Sequence, residues 1–257
     1  MVIRWLFRLY LFWFAVGTVL LTVDWMPEWL RWSNPVFLYL AGAVGASLFV
    51  RAYGRLRGIV VTVTIALGAM VLEGVGVHTG RLFGAYRYTD WLGPQVFGVP
   101  VAIGTAWVMV VATSHFALRH AVRGWPLPVA GATLAVALDL LLDPVAAAKG
   151  YWIWEQTGRY YGIPWTNFSG WFVTAWLLHT AVVLLVHRSD AVPSHAPSRD
   201  VESDAFLLLF TVLALFSCLS LQIGYQLPVL YGLIPWSLAF WLKGRKPVDS
   251  GREKAMV

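Results

Sequence analysis

The chain has 257 residues and a formal net charge of +6, with 59% hydrophobic and only 12% charged residues. A soluble domain of this length carries roughly a quarter charged residues to cover its surface, so the composition excludes a water-covered globule and points to a bilayer. The single cysteine, Cys218, excludes an internal disulfide or a cysteine metal centre within one chain, and the short, scattered basic clusters exclude the continuous basic face of a nucleic-acid binder.

Apolar runs of about 20 residues, the length that crosses a bilayer as a helix, fall at 5–23, 35–53, 58–78, 98–118, 126–146, 171–187, 205–223 and 225–242. They predict an all-α, polytopic helical membrane bundle of about eight helices, forming a single membrane domain over 1–257. The first run lacks a small-residue cleavage site, so a spanning helix is expected rather than a removed signal peptide. In the second, AGAVGAS (41–47) has the small-residue spacing that lets helices approach closely. The third ends near Glu73 and His78. The fifth holds Asp139 and Asp143 ahead of Pro144, which biases Asp143 towards extended backbone, so a kink or stop is expected there. The stretch 188–204 reads as a polar linker containing His195. Pro228 and Pro235 in the last run leave a re-entrant segment as an alternative to a full span, and 243–257 is a basic tail.

Of the 19 Lys and Arg residues, fourteen fall on one side of this parse and five on the other. Positive residues accumulate on the cytoplasmic side, so both termini, the linker and the tail are expected there. The external connections are then 79–97 and 147–170. Both are crowded with Trp and Tyr, which predicts segments lying at the interface or folding back over the bundle.

Acids are rare inside the spans, since each costs about 2.5–3.5 kcal/mol at bilayer depth on insertion scales. Glu73, Asp139 and Asp143 therefore call for a function. The third and fifth helices run the same way, which places all three acids in one layer of the external half. Asp139 and Asp143, four apart, share a helix face. Two such close carboxyls in a low dielectric cannot both ionise cheaply, so the pair offers an acid and a base in one site. His78 and His179 are candidates to join it, whereas His115, His120 and His187 are expected at the cytoplasmic interface. There is no HxxxH spacing, so no metal is expected. No lysine lies within a span for a retinal Schiff base, and no Walker or GxGxxG sequence supports a nucleotide or flavin, so no cofactor is expected.

An acid and a base in an apolar, Trp-lined pocket suit protonation of a carbon–carbon double bond, because aromatic faces stabilise a cation without capturing it. Water held at the second carboxyl then gives an alcohol, and exclusion of water gives a ring.

The segments LEGVGVHTGRLFGAYRYTD (72–90), LDLLLDPVAAAKGYWIWE (138–155) and YYGIPWTNFSGW (160–171) resemble the membrane carotenoid hydratases of the CruF and bisanhydrobacterioruberin hydratase type. The resemblance covers about 60–245. It implies addition of water across the terminal 1,2 double bond of an acyclic carotenoid, without assigning the individual carboxyls. By depth alone Asp139, the most deeply placed, is expected to be held neutral and to act as the acid, with Asp143 or Glu73 orienting water. On this reading Tyr86, Tyr88, Trp152 and Trp154 line the cation pocket, and Arg81, Asp90, Glu155 and Asn167 tie the two external loops together over it. The expected partners are membrane lipid, an acyclic carotenoid, water and other enzymes of the same pathway, in the cell membrane. The alternatives are a lycopene-type cyclase, a proton-coupled transporter or carotenoid carrier, and a structural scaffold for other pathway enzymes.

Overall fold

The structure, a computed structural model, describes residues 2–119, 121–122, 124–187 and 199–243. Eight α-helices dominate these residues: α1 (Val2–Thr22), α2 (Ser33–Tyr53), α3 (Arg55–Thr79), α4 (Val101–Leu118), α5 (Pro126–Ala148), α6 (Trp165–His187), α7 (Arg199–Gln222) and α8 (Gln226–Lys243). Four short strands join them: β1 (Tyr86–Tyr88), β2 (Gln95–Val96), β3 (Val99–Pro100) and β4 (Trp152–Trp154). Among the described residues seven helices are long and apolar enough to cross a membrane, all but α8. The strands lie at one end of the bundle, called here the loop side. The opposite end, where α1 begins with Arg4 and Arg8, is the basic side.

Helix α4 is apolar on every face, which suits a helix enclosed by others, and 83% of its most apolar window is buried against 11% for α1. Thus α4 is the axis of the bundle and α1 a peripheral helix facing lipid. Close approach to α4 depends on the small residues of α2. A Cβ at Gly42 would lie 2.6 Å from the Thr105 carbonyl oxygen, and one at Gly45 would lie 3.1 Å from that of Val108. Without a hydrophobic drive between helices in lipid, such backbone proximity is what supplies packing energy. Polar contacts pin the periphery: the Tyr10 and Thr211 hydroxyls share a 2.6 Å hydrogen bond between α1 and α7, and Arg51 pairs with Asp204 at 2.5 Å between α2 and α7.

The two aromatic connections fold back over the bundle and pair with each other. Strands β1 and β4 are antiparallel, with Tyr86 opposite Trp154, Arg87 opposite Ile153 and Tyr88 opposite Trp152. Alternation along a strand sends side chains to opposite faces, so the four large aromatics share one face while Arg87 and Ile153 are exposed on the other. Thr89 adds bonds from its backbone N–H and hydroxyl to the Tyr151 carbonyl, and the Glu155 N–H donates to Ala85. Lys149 reaches Asp24 at 3.2 Å, fastening the α1–α2 connection to the same cap.

Three boundaries differ from the sequence reading. Helix α5 runs through Pro144 to Ala148 with no break. Pro144 has no N–H for the Leu140 carbonyl, and the Tyr160 hydroxyl donates to that carbonyl instead, at 2.8 Å. Helix α6 begins at Trp165, not 171, so Asn167 stands in its first turn rather than in a loop. Residues 199–204, read as linker, open α7. The rest of the linker with His195, the tail beyond Lys243, and His120 lie outside the described residues.

Candidate active site

Each acid is fixed by the element that carries it. Glu73 stands six residues before the end of α3 and Asp139 nine before the end of α5, about 9 and 13 Å inside their helices at 1.5 Å per residue. All three acids are buried, at 4% exposure or less, and each is met by neutral donors. Glu73 accepts from the Tyr86 hydroxyl (2.5 Å), the Tyr88 hydroxyl (2.9 Å) and Trp107 Nε1 (2.9 Å). The Asn167 amide donates to Asp139 Oδ2 (2.8 Å) and to Asp143 Oδ2 (2.7 Å), so one side chain bridges the aspartates. Trp152 Nε1 donates to Asp143 Oδ1 at 2.6 Å.

Buried carboxyls need several donors to be tolerated, and the cap supplies three of the six bonds. The β1–β4 pairing sets Tyr86 and Tyr88 against Glu73 and Trp152 against Asp143. Burial, and next the charge of Glu73, raise the pKa of both Tyr86 and Tyr88. Their hydroxyls therefore stay protonated and donating throughout the physiological range.

Glu73 and Asp143 open on a single cavity of about 140 Å³, in the loop-side half of the bundle. Its wall beside the acids is aromatic: Trp107 and Trp171, with ring centroids 4.4 Å apart, and Tyr86, Tyr88, Trp152 and Trp154 of the cap. No Lys, Arg or His is among the lining residues. The site therefore complements a developing positive charge and not an anionic group.

The structure brings together Glu73, Asp143, Tyr86, Tyr88, Trp152, Trp154 and Asn167 around this cavity. It separates others. Asp139 is not a lining residue; it lies behind the Asn167 bridge, and its Oδ1 has no partner. This departs from its expected place as the group that meets the substrate. His78 is exposed on the outside of α3, its Nδ1 against the Gly74 carbonyl, and His179 is buried in the basic half of the bundle beside Gly131. Neither joins the acids, because each sits on a helix face or at a depth that the span count could not resolve. His115, expected at the interface, is buried and bonded through Nε2 to the Tyr53 hydroxyl at 2.5 Å. The side chains of Arg81, Asp90 and Glu155 are exposed and make no cross-loop bond among the described residues. Backbone pairing ties the loops instead, and Asn167 serves the carboxyls.

Trp107, Trp171 and Tyr160 were not singled out by the sequence reading. A signal existed for two of them. A buried indole in a membrane span needs a partner for its N–H, which marks Trp107, and the carbonyl left bare by Pro144 calls for a donor such as Tyr160.

These features define a multi-pass helical membrane protein with a carboxyl-bearing, aromatic-walled cavity. The chain belongs to the carotenoid biosynthesis protein family, whose match extends over residues 33–238. It is similar to the bisanhydrobacterioruberin hydratase of Haloarcula japonica, with 30% identity over 118 residues. That match spans 44% of this chain and 40% of the relative, so less than half of either protein is compared. No solved structure matches the chain.

Proposed function

We propose that this protein is a carotenoid hydratase of the cell membrane, adding water across the terminal 1,2 double bond of an acyclic carotenoid. The observation that carries the reading is the shared cavity of Asp143 and Glu73, acids held among neutral donors and aromatic faces with no basic residue on the wall. Its family and the named activity of its relative supply the substrate class.

In this mechanism protonated Asp143 delivers its proton to C2, and a tertiary cation forms at C1. The faces of Trp107, Trp152 and Trp171 and the carboxylate of Glu73 stabilise it. Water attacks C1, and the proton it sheds returns to the Asp143 carboxylate. The sum is one water added, with no change of oxidation state and no need for nucleotide, flavin or dioxygen. Asp139 acts at one remove, anchoring the Asn167 amide that it shares with Asp143, rather than by touching substrate.

The test is co-expression with acyclic carotenoid synthesis in a host without hydratases, with pigments resolved by chromatography and mass. A pigment heavier by one or two waters is expected, and it is expected to vanish in Asp143→Asn while the protein still inserts. A retarded pigment of unchanged mass would assign cyclisation instead.

A further inference from the structure

The cavity extends well away from its acids. Its far wall is Trp13, Phe14, Gly17 and Leu21 of α1, faced by Phe37 of α2 and Phe216 of α7. Trp13, Gly17 and Leu21 are four apart and form one stripe of the helix. The outer face of α1 carries Phe12, Val16 and Val19, exposed at 61%, 42% and 61%. A single helix thus partitions the cavity from lipid. Gly17 leaves that wall without a side chain: it lines the cavity, and a Cβ built there meets no heavy atom within 4 Å. Tyr10 fastens α1 to α7 below this stripe and Lys149–Asp24 fastens its far end, so the helix is held at both ends around Gly17.

A space of about 140 Å³ holds an end group. It cannot hold a polyene whose length is comparable to the bilayer core of about 30 Å, so the remainder must leave through an apolar wall. We propose that the polyene leaves the site alongside α1, over the open face of Gly17, and that Gly17 sets which chains the site admits. This rests on the hydratase reading for the substrate class. Helix α1 precedes the residues matched by the family, 33–238.

The test compares Gly17→Phe and Gly17→Ala with the unaltered protein, using lycopene as the long probe and geraniol, which carries the same isopropylidene end, as the short one. Phe at 17 has room to be built but fills the passage. It should raise KM for lycopene about tenfold or more, the scale of steric discrimination in apolar pockets, and leave hydration of geraniol unchanged, with Ala resembling the unaltered protein on both. Equal loss on both probes, or no loss on either, would overturn the proposal. If the unaltered protein hydrates neither probe, the hydratase reading fails separately, and lycopene binding, read from the shift of its absorption band, decides the passage. Binding kept in Gly17→Ala and lost in Gly17→Phe would sustain it; equal binding, or none to any of the three, would refute it.

Discussion

Asn167 has the most concentrated role of any single side chain in the site. Its amide is the one protein donor to Asp139 among the described residues and one of two to Asp143. Hydrogen bonds to charged groups contribute about 1.5–3 kcal/mol, and preorganised donors at a reacting centre are worth about a hundredfold or more in rate. Asn167→Ala should therefore lower the thermal midpoint in detergent and reduce hydration by about two orders of magnitude. Asn167→Gln restores the amide but not its position, and should recover stability more than activity. If Asn167→Ala retained full activity, the aspartates would not work as a bridged pair. The sequence made the acids legible because charge in a span is rare and costly. It could not show the bridge, because that depends on α6 starting six residues earlier than its apolar run and on how α5 and α6 face each other.

At the scale of elements, α5 and the cap depend on each other. Pro144 would ordinarily break a helix, and the sequence reading follows that rule; the helix persists because Tyr160, from the connection after β4, satisfies the carbonyl that Pro144 leaves bare. Local propensity could not reveal a partner sixteen residues further along the chain. Tyr160→Phe should cost about 1 kcal/mol, the low end of the penalty for an unsatisfied acceptor, because the bond is part-buried. In a Pro144→Ala background, where the restored N–H can take the carbonyl, the same change should cost markedly less. The two effects are thus non-additive in a double-mutant cycle of thermal stabilities, and simple additivity would mean that the Tyr160 bond is incidental. The cap also has a pH limit with a definite sign. Tyr86 and Tyr88 have pKa values raised in the fold by burial and by Glu73, whereas an unfolded tyrosine titrates near 10. Their contribution is complete below about pH 10 and declines as pH rises above it, because only the unfolded state releases the proton. Stability measured by unfolding should fall above about pH 10, and less steeply in the Tyr86→Phe and Tyr88→Phe double variant.

For the whole molecule, the decisive quantity is which side of the membrane the acid layer faces. Seven spans were readable because apolar length is set by bilayer thickness; the run read as an eighth and insecure span forms α8, which among the described residues does not meet that criterion. Sidedness rests on the fourteen-to-five partition of basic residues, from which the cap, the acids and the proposed passage at Gly17 are expected in the outer half of the bilayer. Single thiols test it directly, since Cys218 is the chain's one cysteine and Cys218→Ser clears the background. Phe97, 82% exposed between β2 and β3, marks the loop side, and Leu56, 77% exposed at the start of α3, marks the basic side. In intact cells an impermeant maleimide should label Phe97→Cys, and Leu56→Cys only after permeabilisation. The reverse pattern would invert the molecule and put the acids in the cytoplasmic leaflet, and labelling of both from outside would break the assignment of α3 as a span. The expected pattern has a chemical consequence. Water for the reaction would enter from the outer interface, beside the cap, while the polyene approaches through lipid past α1, so the two reactants would reach the acids by separate routes.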